Sequence, residues 1–166
     1  MKSPMMKWLW LSLLVIVLDQ ITKSMASSML EYARPVSILP LFNFTLLHNT
    51  GAAFSFLDSA GGWQRWFFTV IALGVSFFLV LWVRKLSTEE KLQAISLTLI
   101  LGGAIGNVID RIRFGYVVDF LDFYYGTSHF PAFNIADSAI TIGAILIIYD
   151  SLFVSGRKTS ELKADK

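Results

Sequence analysis

The sequence predicts a mainly α-helical membrane protein with four transmembrane helices. Hydrophobic residues make up 55% of the 166-residue chain, and the mean hydropathy is +0.61. Charged residues make up only 16%, against roughly 25% in an ordinary soluble domain. A stretch of about 20 mostly apolar residues can cross a bilayer as a helix. The sequence contains four such stretches, at about residues 8–26, 65–83, 93–112 and 136–154.

The first stretch is expected to remain in the protein as a helix. Lys2 and Lys7 precede it and it ends in Ser24-Met25-Ala26, a pattern that also occurs in cleavable signal peptides. The apolar run nevertheless continues through Ile21 toward spanning length. We therefore favour a retained transmembrane helix over a removed signal peptide.

The basic residues predict how the helices are oriented, because Lys and Arg near helix ends favour the cytoplasmic side. With both termini inside, nine of the fourteen Lys and Arg residues lie on the cytoplasmic side and five lie outside. The sequence thus predicts an N-in, C-in topology. Extracytoplasmic segments are expected at about residues 27–62 and 113–135, and a cytoplasmic tail at about 156–166.

Both predicted extracytoplasmic segments are more apolar than ordinary solvent-exposed loops. In the first, Phe42, Phe44 and Leu46 alternate with polar residues ahead of the turn-like Asn49-Thr50-Gly51. This pattern predicts a short strand pair lying against the membrane. The second segment is rich in aromatic residues, which are expected to dip into the headgroup region.

Composition also limits the functions that the chain can have. The net charge of +2 comes from the cytoplasmic flanks, and no basic patch is interleaved with aromatic residues, so no nucleic-acid partner is expected. The absence of cysteine excludes disulfides and thiolate chemistry. No internal repeat or low-complexity linker is visible, so residues 1–166 are predicted to form a single membrane-embedded domain.

Polar residues in three predicted helices converge on one depth, the outer boundary of the membrane. They are Asp19 and Lys23 on one face of helix 1, Gly103, Asn107, Asp110 and Arg111 along one stripe of helix 3, and Asn134 and Asp137 at the start of helix 4. An ionisable residue in a transmembrane segment is a functional-site hypothesis by default. The structural alternatives are an interfacial ion pair for Asp19 and Lys23, a snorkelling end cap for Asp110 and Arg111, a helix cap for Asn134 and Asp137, and helix packing for Gly102 and Gly106.

A second carboxylate, Asp119, is predicted to meet Asp137 at this depth. Two carboxylates held close together share a proton, so that one serves as general base and the other as general acid. Such a pair can activate water and protonate both the carbonyl oxygen and the leaving amine, with no metal or covalent intermediate. Asp122, three residues after Asp119, also lies between apolar and aromatic residues. On these grounds it is an equally good partner for Asp137. Which carboxylate is the base stays open.

Other hydrolytic designs fit the sequence less well. His48 and His129 are the only histidines, and no metal-binding HExxH pattern is present, so no metal site is predicted. Ser128 lies in a polar loop and lacks the final glycine of a GxSxG motif. An aspartic mechanism is therefore the best of the enzymatic options.

Five sequence blocks carry a resemblance to a known family, and they run in the family's order. They are Asp19-Gln20-x-x-Lys23, Asn49-Thr50-Gly51-Ala52-Ala53-Phe54, Gly102-Gly103-Ala104-Ile105-Gly106-Asn107-x-x-Asp110-Arg111, Val117-Val118-Asp119-Phe120 and Phe133-Asn134-Ile135-Ala136-Asp137. The chain resembles the bacterial lipoprotein signal peptidases, also called signal peptidase II.

This resemblance implies a multi-pass protein of the bacterial cytoplasmic (inner) membrane, with a small extracytoplasmic β-cradle and a periplasmic helix or loop. The implied substrate is a prolipoprotein whose lipobox cysteine carries diacylglyceryl, cut on the amino side of that cysteine at the outer-leaflet face. Asp119 and Asp137 match the catalytic pair. Residues expected to hold the peptide or brace this pair are Asn49, Gly103, Asn107, Arg111, Asn134, Asp19 and Lys23. No cofactor is implied, membrane lipids are the surroundings, and a monomer is expected.

Two hypotheses from other classes compete with the peptidase. A small proton-coupled carrier would distribute its ionisable groups across the bilayer and often contains inverted repeats. A membrane assembly subunit would use Gly102 and Gly106 to pack against a partner and would leave the paired aspartates unexplained. The gathering of polar residues at one surface favours the peptidase over both.

Overall fold

The computed structural model describes residues 4–51 and 62–155 of the chain. Its main elements are four long helices, α1 (Leu9–Met29), α2 (Trp63–Val83), α3 (Lys91–Arg113) and α4 (Ile135–Tyr149). With their adjoining turns, all four are long and apolar enough to cross a membrane. The predicted mainly α-helical membrane fold with four spanning helices is confirmed, and the N-in, C-in orientation stays a prediction.

The helices extend slightly beyond the apolar stretches that predict them. A 3₁₀ helix at Pro4–Trp8 leads into α1, and α4 continues as a π-helix at Asp150–Ser155. Helix α1 ends at Met29 rather than at residue 26, and α3 begins at Lys91 rather than at residue 93. Hydropathy marks only the apolar middle of a helix, whereas the backbone hydrogen bonds continue into the polar residues beside it.

A four-stranded antiparallel sheet is built from the two segments that the sequence predicts to be extracytoplasmic, and it corresponds to the expected β-cradle. Its strands, in spatial order, are β1 (Val36–Leu39), β2 (Phe42–Asn49), β3 (Val117–Tyr125) and β4 (Ser128–His129). A strand pair does form in this segment: β2 contains Phe42, Phe44 and Leu46, ends at Asn49, the first residue of the turn-like Asn49-Thr50-Gly51, and pairs with the preceding strand β1. Residues 52–61, the continuation of this segment, lie outside the described residues.

Strand β3 was not foreseen, since its segment was expected only to contact the headgroup region. It is rich in Val, Phe and Tyr, which suit a pleated surface, and it pairs along much of its length with β2. Residues directly paired across this ladder include Asn43 with Asp122 and Leu47 with Asp119. The sheet therefore brings residues near 47 and near 119 together over one end of the helices.

Helix α3 is the central helix of the bundle. In its most apolar window 61% of the residues are buried, against 22% in each of the other three helices, and it contacts α1, α2 and α4. Gly103 permits the close contact with α4, because a Cβ atom there would collide with the Ala136 carbonyl oxygen. The apolar core, including Val83 and Leu97, lies near the first half of α3. Asn107, Asp110 and Arg111 lie in the second half of α3, toward its opposite, sheet-covered end.

Candidate active site

Asp119 occupies a buried position on β3, where its side chain is held by two asparagine amides. The residue is 3% exposed. Asn49 Nδ2 donates to Asp119 Oδ2 at 3.1 Å, and Asn134 Nδ2 donates to Asp119 Oδ1 at 2.7 Å. Asn49 is the diagonal neighbour of Asp119 on β2, so both side chains project from the same face of the sheet.

Asp137 lies in the first turn of α4 and forms a reciprocal cap with Asn134. Asn134 Oδ1 accepts from the Asp137 backbone N–H at 2.9 Å, and Asp137 Oδ2 accepts from the Asn134 backbone N–H at 3.3 Å. Asn107 Nδ2 of α3 donates to Asp137 Oδ1 at 2.8 Å. Asn134 and Asp137 therefore form a helix cap, as the structural alternative predicted. The same cap also directs the Asp137 side chain toward α3.

The two carboxylates are connected through asparagine side chains. Asn134, which is fully buried, contacts both Asp119 and Asp137, and it also donates to Asn107 Oδ1 at 3.3 Å. Burial, and after it the negative charge of Asp137, raises the pKa of Asp119 from 3.8 to about 7, against opposing hydrogen bonds from Asn49 and Asn134. Such a pair can hold one proton near neutral pH, as acid–base work on an amide requires.

Lys23 and Asp19 lie beneath this pair and are buried, at 3% and 0% exposed. Lys23 Nζ is 2.8 Å from Asp19 Oδ2 and 2.9 Å from Asp110 Oδ2, and it donates to Asn107 Oδ1 at 2.9 Å. Asp19 Oδ1 also accepts from the Ala136 backbone N–H at 2.9 Å. Asp19 and Lys23 thus form the ion pair of the structural alternative, but the pair is buried inside the bundle, where it joins α1 to α3 and α4.

Asp110 has a larger part in this cluster than the sequence indicated. It is 1% exposed, accepts from Gln20 Nε2 at 2.9 Å, and accepts from the Val118 backbone N–H at 3.1 Å. The latter bond ties α3 to the residue directly before Asp119. Asp110 therefore does not snorkel to the surface. The one sequence feature that indicates its partner is Gln20, a polar residue inside an apolar helix.

Arg111 is buried at 8% exposed and reaches from α3 to the loop after β2. Its Nη2 donates to the Gly51 carbonyl oxygen at 2.9 Å, and Gly51 N–H in turn donates to Asn49 Oδ1 at 3.0 Å. Among residues 4–51 and 62–155, the buried Arg111 Nε atom has no hydrogen-bond partner. A buried guanidinium N–H without a partner in the described part of the chain is suited to a carbonyl oxygen brought by a ligand.

A cavity of about 710 Å³ lies beside these residues, between α2, α3 and α4. Most of its lining is apolar, including Phe68, Ala72 and Ala104. Its polar side chains are Asn49, Asn107, Arg111, Ser138, Thr141 and Asp137. Asp119 does not line the cavity itself and adjoins it through Asn49. The cavity can take an apolar chain and present a polar group at its end to the asparagines and Arg111.

Asp122, the competitor of Asp119, lies in a different environment. Thr45 Oγ1 donates to Asp122 Oδ2 at 2.7 Å, and His129 Nδ1 lies 2.8 Å from Asp122 Oδ1. Burial raises the pKa of Asp122, but hydrogen bonds from His129, Thr45 and Asn43 outweigh it and hold the pKa below 3.8. Since side chains alternate along a strand, residues three apart face opposite sides of the sheet. The structure therefore separates Asp122 from Asp137.

The other histidine of the chain, His48, stacks on Tyr116, with 3.9 Å between the ring centroids. Burial lowers the pKa of His48. Within residues 4–51 and 62–155, no group of three or more His, Asp and Glu side chains is placed to hold a metal ion.

Comparison with known proteins agrees with this geometry. The profile of the family described as Signal peptidase (SPase) II matches residues 11–153. The chain is 54% identical over 165 residues to a lipoprotein signal peptidase of Shewanella piezotolerans, covering 98% of this chain and 96% of that protein. It is 57% identical over 151 residues to a lipoprotein signal peptidase of Acinetobacter baumannii, covering 91% and 86%.

A solved structure described as a bacterial membrane enzyme has the same fold, with a TM-score of 0.83 and 33% identity. The match covers 95% of this chain and 94% of that chain. The resemblance seen in the five sequence blocks is confirmed, and the peptidase hypothesis prevails over the carrier and the assembly subunit. The chain belongs to the signal peptidase II family of membrane peptidases.

Proposed function

We propose that the chain is an aspartic endopeptidase that removes signal peptides from diacylglyceryl-modified prolipoproteins. The bond that it cuts lies on the amino side of the lipidated cysteine. The observation that carries this proposal is the pair of carboxyl groups, Asp119 and Asp137, joined through Asn134 beside an apolar cavity. The names of the relatives, lipoprotein signal peptidases, support the substrate class.

The two aspartates carry the reaction with one shared proton. The ionised carboxylate takes a proton from a water molecule as its oxygen attacks the scissile carbonyl carbon, while the protonated carboxyl donates to the carbonyl oxygen. The tetrahedral intermediate then returns a hydroxyl proton to the carboxylate that had protonated the carbonyl oxygen. The carboxyl that had taken the water proton protonates the amide nitrogen, and the carbon–nitrogen bond breaks. Every proton is moved by Asp119 or Asp137, so no cofactor is needed.

The surrounding residues orient the peptide and brace the aspartates. Asn49 and Arg111 face the cavity and offer N–H donors to peptide carbonyl groups. Asn107 and Asn134 hold the carboxylates, and Gly103 keeps α4 close to α3. Asp19 and Lys23 support this arrangement from below.

The cavity accounts for the lipid requirement. The scissile bond of a lipidated substrate lies at the membrane surface, and its signal helix and acyl chains stay in the apolar layer. Apolar lining between α2 and α4 matches these groups, while the polar end matches the peptide. We place the protein in the bacterial inner membrane, acting as a monomer at the outer-leaflet face.

The test uses purified protein in detergent and one prolipoprotein prepared with and without its diacylglyceryl group. Mass spectrometry of the products is expected to locate cleavage directly before the lipidated cysteine, with little cleavage of the unlipidated form. Cleavage at another bond, or equal cleavage of both forms, would contradict the proposed substrate class.

A further inference from the structure

The Lys23 ammonium group is enclosed by three acceptors that come from two helices. It contacts Asp19 Oδ2 at 2.8 Å, Asp110 Oδ2 at 2.9 Å and Asn107 Oδ1 at 2.9 Å. An ammonium group has three N–H donors and no acceptor, so all its hydrogen-bonding capacity is used by these contacts. Lys23 is 3% exposed and does not line the cavity, so it is not placed to touch a substrate there.

The contact with Asn107 determines which way that amide faces. An asparagine amide has an oxygen that accepts and a nitrogen that donates, and the two ends can exchange by rotation. Asn107 Oδ1 receives N–H groups from Lys23 and from Asn134 Nδ2, while Asn107 Nδ2 donates to Asp137 Oδ1 at 2.8 Å. In the rotated state, the Asn107 nitrogen would face a cation and its oxygen would face a carboxylate.

We propose that Lys23 is a positioning residue that locks the amide of Asn107, so that its Nδ2 always donates to Asp137. This inference rests on the proposed function, because it assigns Lys23 a part in that reaction. Asn107 also accepts from Asn134, which donates to Asp119, so one amide orientation serves both carboxylates. Without the lysine, Asn107 Oδ1 keeps only the longer 3.3 Å contact with Asn134, so the amide is held less firmly and the rotated state, in which Asp137 loses this donor, becomes more populated.

A double-mutant cycle tests this role against a merely structural one. Lys23→Met is expected to lower kcat about 10- to 100-fold with KM within about threefold, and Asn107→Leu is expected to lower kcat at least as much. Because Lys23 acts through Asn107, the double variant is expected to be no slower than the slower single variant. Losses in kcat that multiply, or a rise in KM that accounts for the loss, would overturn the inference.

Ser12→Ala is the matched structural control. Ser12 Oγ donates to the Thr98 carbonyl oxygen at 2.7 Å, so it also joins α1 to α3, but far from the aspartates. This variant is expected to lower thermal stability without lowering kcat. If Lys23→Met fails to fold, Lys23→Met with Asp19→Asn removes one cation and one anion, so the cluster keeps its formal charge, and the same fall in kcat is expected.

The orientation of the amide can be measured without any substrate. The chain contains only four asparagines, at 43, 49, 107 and 134, so selective ¹⁵N labelling of asparagine yields four side-chain nitrogen resonances, each with a pair of proton signals. Lys23→Met is expected to split or broaden the Asn107 signal and to leave Asn43 unchanged, while an unaltered Asn107 signal would overturn the inference. Absence of cleavage by the wild type would instead overturn the proposed function, so the two failures are distinguishable.

Discussion

The side chain of Asn134 donates a 2.7 Å hydrogen bond to Asp119 and thereby joins the start of α4 to strand β3. The same side chain accepts the backbone N–H of Asp137 and fixes where α4 begins. One residue therefore caps a helix and holds two carboxyl groups that are 18 positions apart in the chain. The geometry of the proposed dyad depends on this helix start, which gives a structural cap a direct part in function.

Asp122→Asn is expected to retain most of the cleavage activity, because Asp122 faces away from Asp137 and bonds to Thr45 and His129. Its stability effect is expected to depend on pH. The folded pKa lies below 3.8, so Asp122 stabilises the fold above that value and this contribution is lost as the pH falls through the folded pKa. The free energies of unfolding of the wild type and of Asp122→Asn should therefore differ at neutral pH and become similar in acid. Near-total loss of cleavage would contradict the separation of the two faces.

The pH profile of kcat/KM is expected to fall on its alkaline side near pH 7, where Asp119 loses the shared proton. Asn49→Ala removes a donor to the ionised form of Asp119, so the pKa rises and the alkaline fall moves to higher pH. Asn43→Ala, which removes a donor to Asp122 instead, serves as the control and should leave the profile in place. A shift of the Asn49→Ala profile to lower pH would contradict the assignment.

Gly103→Ala is expected to separate α3 from α4, because the added Cβ collides with the backbone of Ala136. Overpacking of this kind costs about 1–3 kcal/mol, and displacement of the α4 start should also lower kcat. Gly74→Ala in α2 is the matched control, since in the described part of the chain no side chain or neighbouring element lies within 4 Å of its added Cβ. Thermal unfolding and cleavage rates of both variants check this prediction, which fails if the two behave alike.

Ala72→Phe is expected to fill part of the cavity and to raise KM about tenfold, equivalent to roughly 1.4 kcal/mol of binding free energy. Leu73→Phe on the adjacent position points away from the cavity, with Leu73 being 46% exposed, and should leave KM unchanged. Steady-state kinetics on one lipidated substrate compare the two. Equal KM values would show that substrate does not occupy this cavity.

The sequence predicts the helices, and the common depth at which their polar residues lie, because both depend on local patterns. Four apolar stretches predict the spanning helices, and the i, i+4 and i, i+3 spacings align Asp19 with Lys23 and Asn134 with Asp137. The helix-cap alternative for Asn134 was also correct, because capping depends on only three neighbouring residues.

Sequence reasoning could not separate Asp119 from Asp122, because their segment was not recognised as a strand. Only the pleat of β3, fixed by pairing with β2, places the two carboxylates on opposite faces. The three-way contact of Lys23 was equally out of reach, since Asp110 and Asn107 are more than 80 positions away along the chain. Long-range contacts of this kind depend on how the helices pack.

The most direct test of the central claim compares the wild type with Asp119→Asn and Asp137→Asn on one diacylglyceryl-modified prolipoprotein. A chelator is present in every reaction, and thermal unfolding confirms that each variant is folded. Each substitution removes a proton-transfer group at almost unchanged volume, so the account predicts chelator-resistant cleavage by the wild type and none by either folded variant. Substantial cleavage by either variant, or loss of wild-type cleavage on chelation, would contradict the aspartic dyad.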